Sequence, residues 1–389
     1  MLKVLHPITR LIIGGAQENT MLTADYHNHL PEYANQYKVD VVSGPQTGPE
    51  GSLIDEVRNR GIELTIMPEL VREVDLIKDI KAIFALRSLM MEREYDLVHT
   101  HSSKAGVLGR IAAKWAGVPH IVHTVHGWSY HEHLPPRRKQ FYVALEKIGY
   151  RYGDAMIVVS PKDIDKGLAE GIGRREDYTV IRSGIELDRF GNPQVAAAET
   201  RSQMGIPADA LVIGSVTRLS EQKDPLGLIY GLAQVHQRRP SVYSVIVGDG
   251  PLRPEVEAKI ADYGLADRVI LTGLRRDVPE LMAAFDVFVL ASLWEGLPRV
   301  LPQAMATGLP IVATRADGSA EAIEDGVNGF LIDAKRPDLV ADRLIQLIDS
   351  SEMRQAFGAA GKARVPMFGA KKMVADIDQL YKSLIERKK

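Results

Sequence analysis

The chain has 389 residues, with 45% hydrophobic and 25% charged residues, 48 Lys+Arg against 50 Asp+Glu, and no cysteine. This is the mix of a globular protein of two or three domains, and it excludes a disulfide scaffold, a Cys-ligated metal centre and a thiol nucleophile. With 24 basic against 25 acidic residues in 1–192 and the same in the remainder, neither half is a basic nucleic-acid module.

The N-terminus, MLKVLHPITR, lacks the apolar run of a signal peptide, and no stretch reaches the ~18–20 apolar residues of a membrane span. A cytoplasmic location is expected. After the first apolar run, Gly14–Gly15–Ala16 precede a helix; paired glycines let backbone approach a ligand, and a helix N-terminus favours an anion. The pattern is not GxGxxG, so a nicotinamide dinucleotide is not indicated. Strands are expected at Val39–Val42, Leu97–His99, Ile121–Val125, Ala155–Val159 and Val180–Ile181. Helices are expected at Leu76–Met91, Leu108–Trp115 and Arg138–Arg151. These Val- and Ile-rich runs, apolar throughout, read as parallel strands buried on both faces.

HTVHGW, His123 to Trp128, follows the Ile121–Val125 strand directly, so His126 sits where a side chain reaches a ligand. The same region holds His120, His131 and His133. With Glu132 the only nearby carboxylate, the spacing is poor for a metal, and none is expected. The segment Leu134–Tyr152 interleaves Arg137, Arg138, Lys139, Lys147 and Arg151 with Phe141, Tyr142, Tyr150 and Tyr152. That pattern suits an anionic membrane surface. The alternative is that Phe141, Val143, Leu145 and Ile148 pack on the sheet while the charges are solvated, Glu132 and Glu146 diluting them.

Gly191 and Pro193, with the small residues to Ala198, mark a seam. Domains are expected at 1–190 and 191–368, with a C-terminal helix, 369–389, crossing back to the first. Strands resume at Leu211–Val216, Val242–Val247, Val269–Leu271, Val287–Leu290 and Ile311–Ala313, with helices at Leu226–Gln237 and Glu280–Phe285. The fold class is α/β, two Rossmann-like doubly wound parallel-sheet domains facing a central cleft. Arg218 and Lys223 follow a strand and precede a helix, placed to neutralise a diphosphate. Gly248 lies in the turn VGDGP, and Glu295 precedes a helix of small and apolar residues whose first amides would face a phosphate.

Together, over nearly the whole chain, these motifs resemble the retaining glycosyltransferases of family 4 (glycosyl transferases group 1), of GT-B fold. The matching residues are Gly14–Gly15, His126, Arg218, Lys223, VGDGP, Gly273 with Asp277, Glu295, and Glu321 of DGSAE. The resemblance implies a first domain that binds a hydroxyl acceptor, lipid-linked or a polysaccharide precursor, and a second that binds a nucleotide sugar, UDP before GDP. Arg218 and Lys223 would hold the diphosphate, Glu295 and His126 the donor sugar, and the Gly14–Gly15 loop would close over the phosphate. Gly273, Leu274 and Arg275 would line the base, and Leu297, Arg299 and Val300 complete the donor side. His101, Ser102, Lys104 and Trp128 are acceptor-side candidates.

Two departures stand out. Gln303 occupies the place of the family's second glutamate, losing a bidentate acceptor for ribose. Pro298 lacks an N–H. The expected reaction is metal-independent transfer with retention, without a cofactor, at the cytoplasmic membrane face if membranes are bound. A nucleotide-sugar epimerase, or a non-catalytic sugar-nucleotide binder, is the alternative. An epimerase would interconvert donors without acceptor.

Overall fold

The computed structural model describes residues 1–46, 51–130, 134–316 and 318–387. His131, Glu132 and His133 lie outside these. The chain divides into two compact units, Met1–Gly184 with Ala370–Lys389, and Ile185–Gly369. The division falls ahead of the expected 190/191 boundary for a local reason. Ile185 already bridges Gly369, and Phe190, in the helix Leu187–Gly191, accepts a hydrogen bond from Thr307.

The first unit is built on seven strands: β1 (Leu2–Ile8), β2 (Tyr37–Ser43), β3 (Leu64–Ile66), β4 (Leu97–His101), β5 (His120–Val125), β6 (Ala155–Val158) and β7 (Tyr178–Val180). They lie in the order β3-β2-β1-β4-β5-β6-β7, every pair parallel. Helices cover both faces, which is why the strand sequences are apolar throughout. One face packs Val4, Ile8, Val39 and Leu97 against Met373, Val374, Ile377 and Tyr381 of the C-terminal helix Ala370–Arg387. Each such buried side chain contributes about 1.5–3 kcal/mol. The other face packs Leu5 and Val98 against Leu86 and Met90 of helix Leu76–Arg93 and Ala112 of helix Ser103–Ala116.

The second unit has six parallel strands: β8 (Val212–Val216), β9 (Tyr243–Val247), β10 (Val269–Gly273), β11 (Val287–Leu290), β12 (Ile311–Thr314) and β13 (Gly329–Ile332). Their order is β10-β9-β8-β11-β12-β13. In both sheets the chain reverses its direction of growth beside the first strand, at β1/β4 and at β8/β11. Ligands of doubly wound sheets bind beyond the carboxyl ends of such strands.

Candidate active site

In the second unit the switch point is occupied by two loops, Thr217–Asp224 after β8 and Ala291–Arg299 after β11. They are stitched together: Leu293 N donates to the Gln222 carbonyl at 2.7 Å, and Gln222 Nε2 donates to the Trp294 carbonyl at 2.9 Å. The pairing brings Lys223 onto Glu295, its Nζ bonded to Oε1. Ser292 Oγ donates to the same oxygen at 2.6 Å, and Ser292 is itself anchored where Thr314 Oγ1 donates to its carbonyl. Arg218 stands exposed on the same loop. Asp224, in a left-handed conformation (φ 43°), ends the loop and caps the helix Pro225–Arg238 by accepting from Gly227 N.

Two glycines shape this region by close approach. A Cβ on Gly248 (φ 133°) would stand 2.0 Å from the Thr217 carbonyl oxygen, and one on Gly318 would stand 1.9 Å from that of Gly296. Gly248 thus belongs to a turn that backs the Arg218 loop, with Leu219 N donating to the Asp249 carbonyl. Gln303 lies in the short helix Val300–Thr307 and is nearly buried, as are Arg299 and Leu297 before it; Val300 is half-buried. Gly273 closes β10 with φ 69°, and Leu274 beyond it is exposed. Arg275 turns back to Asp277 in a two-pronged pair (Nε–Oδ1 2.8 Å, Nη2–Oδ2 2.5 Å), which lowers the Asp277 pKa. Glu321 is half-buried, its carbonyl accepting from Arg364.

In the first unit, Gly14 is extended (φ −178°) and caps the helix Gly15–His29, leaving Gly15 exposed at its first turn. His126 follows β5 and is half-buried. Its Nε2 lies 3.0 Å from Nδ1 of His101, whose Nε2 lies 2.8 Å from Nδ1 of His6. His101 has no exposed surface.

Of the four acceptor-side candidates, Ser102, Lys104 and Trp128 are half-buried and His101 is buried. His101 ends β4, its Nδ1 3.0 Å from Nε2 of His126. Ser102 (φ 60°) shares a 2.8 Å hydrogen bond with Thr9 Oγ1. Lys104 pairs with Asp79 at 2.5 Å, which holds helix Ser103–Ala116 to helix Leu76–Arg93. Trp128 donates Nε1–H to the Asp163 carbonyl at 2.8 Å and lies against Tyr130.

Three residues at the heart of these arrangements carry no expectation in the sequence. His6 is a polar side chain inside the first apolar run, Ser292 stands three residues before Glu295, and Gln222 precedes Lys223. The position of His6 within a strand was the readable signal. The other two act through partners far along the chain.

Residues 197–364 match the family described as "Glycosyl transferases group 1", and residues 28–184 match the "Glycosyl transferase 4-like domain". An Escherichia coli protein, UDP-Gal:alpha-D-GlcNAc-diphosphoundecaprenol alpha-1,3-galactosyltransferase, is 30% identical over 391 residues, covering 100% of this chain and 98% of its own. Among solved structures, Anabaena HepE in complex with UDP and glucose has a TM-score of 0.84 at 25% identity, covering 98% of this chain and 100% of its own. HepE in complex with UDP-glucose has a TM-score of 0.82 at 26% identity, with the same coverage.

Proposed function

Because the chain belongs to the glycosyl transferases group 1, with the GT-B fold, and so moves a sugar from a nucleotide sugar, we propose that it transfers a hexose from a UDP-sugar to a hydroxyl of a lipid-linked acceptor at the cytoplasmic membrane face. Transfer proceeds with retention, without a metal ion or cofactor. UDP is favoured by the HepE complexes, and a polyprenyl-diphosphate-linked acceptor by the name of the E. coli relative.

The observation that carries this reading is the preformed charge arrangement at β8/β11. Lys223 is held by a carboxylate whose own position is fixed by Ser292, and Arg218 is exposed earlier on the same loop. Cations fixed before substrate arrives stabilise charge developing on a leaving diphosphate without reorganisation. The bond from the anomeric carbon to the diphosphate oxygen breaks, its electron pair leaving with UDP. The acceptor oxygen bonds that carbon on the same face, and its proton passes to the departing phosphate. Glu295, already placed against Lys223, orients the sugar.

Among the described residues no helix is long and apolar enough to cross a membrane, so a lipid-linked acceptor is met at the bilayer surface. The face that suits this is helix Leu76–Arg93, which exposes Leu76, Ile77, Ile80, Phe84 and Met91 beside Trp115, with exposed Lys78, Lys81 and Lys114 around them. Apolar side chains rimmed by cations complement an anionic interface.

The test is UDP release from UDP-hexoses with and without a polyprenyl-diphosphate-linked sugar, with the product anomer read by NMR. Acceptor-dependent release, an α-linked product and survival of activity in EDTA are expected. Activity lost in EDTA and restored by Mn²⁺ would overturn the metal-free reading. Interconversion of donors without acceptor would make the enzyme an epimerase.

A further inference from the structure

Two donors reach the same oxygen of the nearly buried Glu295: the Lys223 ammonium and, at 2.6 Å, the Ser292 hydroxyl both bond Oε1. A nearly buried carboxylate needs such donors, because burying an anion without them is costly. The two are held with unequal firmness. Lys223 carries its charge on a flexible four-carbon stem, at the end of the single 3-10 turn Glu221–Lys223, and its side chain is 19% exposed against 7% for Glu295. Ser292 has no exposed surface and stands two residues past β11, where its carbonyl accepts from Thr314 Oγ1 at the end of β12. One end of Ser292 is tied to the neighbouring strand and the other to Glu295.

That inequality matters when the donor substrate arrives. The ammonium of Lys223 is drawn to the diphosphate, and whatever it gives to phosphate it withdraws from Glu295. The carboxylate then has the same sign as the group that Lys223 faces. With no second donor on Oε1, it would follow the ammonium or turn away, and either movement displaces the group that orients the sugar. We propose that Ser292 is a positioning residue whose hydroxyl holds Oε1 of Glu295 in place while Lys223 passes from the carboxylate to the diphosphate. The bond that breaks, from the anomeric carbon to the diphosphate oxygen, lies between the part of the donor held by Glu295 and the part held by Lys223. Ser292 keeps the first grip fixed while the second is made. This rests on the reading of Lys223 as a ligand of the diphosphate and of Glu295 as a ligand of the sugar.

The primary test needs no substrate. Lys223→Met removes the ammonium and keeps most of the stem, so it imitates the site after Lys223 has left Glu295. Its crystal structure should show Glu295 Oε1 still within hydrogen-bond distance of Ser292 Oγ. In Lys223→Met/Ser292→Ala the carboxylate should leave that position. A Glu295 side chain that swings off Ser292 in the single variant overturns the proposal, and so does one that stays in place in the double variant, whether or not the protein transfers sugar. Should Lys223→Met fail to fold, crystals of the wild-type protein grown with pyrophosphate or UDP read the same geometry. Lys223 Nζ is then expected on a phosphate oxygen with Ser292 Oγ still on Oε1, and a Glu295 that has moved with Lys223 would count against the proposal.

The kinetic arm compares Ser292→Ala with Ser292→Thr, which keeps the hydroxyl. Ser292→Ala is expected to lower kcat by about 10–100-fold at nearly unchanged donor KM, the scale of a small misplacement of a substrate-orienting group, and Ser292→Thr to recover most of that loss. Equal losses in both variants, with matched melting temperatures, would mean that Ser292 only fills space; an unchanged kcat in Ser292→Ala would also refute the role. Absence of transfer with every donor, alongside the expected Lys223→Met structure, would sink the functional reading and leave the hold on Glu295 intact.

Discussion

Lys223 and Glu295 form an ion pair, while Arg218 is exposed on the same loop. The two cations should therefore separate under mutation. Arg218→Ala should cut turnover by ~10²-fold or more, the scale of a lost transition-state donor, and leave the melting temperature unchanged. Lys223→Ala should cut turnover as far, but it also strips a nearly buried carboxylate of its charged partner, costing about 2 kcal/mol. Parallel kinetics and thermal melts read both effects; near-normal rates in the two variants would refute the diphosphate role. Gln303 offers a second test at this scale. It closes the first turn of Val300–Thr307, its N–H donating to the Arg299 carbonyl four residues earlier, near the helix start where negative charge is tolerated. Gln303→Glu should keep or tighten UDP binding in calorimetry, and a tenfold loss would show that the ribose is held elsewhere.

At the scale of elements, two helices of the first unit expose apolar side chains, Pro136–Tyr150 and Leu76–Arg93. In the former, Lys139 pairs with Glu170, Tyr150 bonds Asp177, and Glu146 is buried against Arg110, while Arg137, Arg138 and Lys147 are exposed. Phe141 and Ile148 do remain exposed there. The larger apolar surface belongs to Leu76–Arg93, where Ile77 is 69% and Phe84 54% exposed beside a half-exposed Trp115. Vesicles containing phosphatidylglycerol should sediment the protein at low salt. Ile80→Glu/Phe84→Glu should abolish this, and Arg137→Ala/Arg138→Ala/Lys139→Ala should largely spare it. Binding lost in the second variant and kept in the first would return the membrane face to Pro136–Tyr150.

For the whole molecule, histidine burial is unequal between the two units. His6 is held down to about 3 and His27 to about 4, with His99, His101 and His123 lowered as well, in each case chiefly by desolvation. The second unit has only His236, lowered to about 4. An unfolded chain protonates these groups near 6.5 and the folded chain does not, so the unfolded state binds more protons below that pH. Stability is complete above about 6.5 and is lost as pH falls, by ~1.4 kcal/mol per histidine and pH unit. Between pH 6.5 and 5, protection against hydrogen exchange, corrected for the intrinsic rate at each pH, should fall further in the unit Met1–Gly184 than in Ile185–Gly369. Equal loss of protection in the two would contradict this.

The alternation of Val- and Ile-rich runs with helical stretches was enough to specify two parallel-sheet domains, because strands buried on both faces must be apolar throughout. It also placed His126, Arg218, Lys223 and Glu295 just past strands, since the turn that ends a strand is local chemistry. Three strands are missing from the expected set: Leu2–Ile8, whose apolar run is broken by His6 and Pro7, and Leu64–Ile66 and Gly329–Ile332, both at sheet edges with too few residues to show a period. Which side chains meet was a tertiary decision. His6 reaches His101 across 95 positions because β1 and β4 are neighbours in the sheet, and Lys223 reaches Glu295 across 72 because β8 lies beside β11. Tyr381 reaches His99 only because the C-terminal helix lies on the first sheet. Strand order and the return of the last helix follow from how buried faces pair over the whole chain, and no local run of residues encodes them.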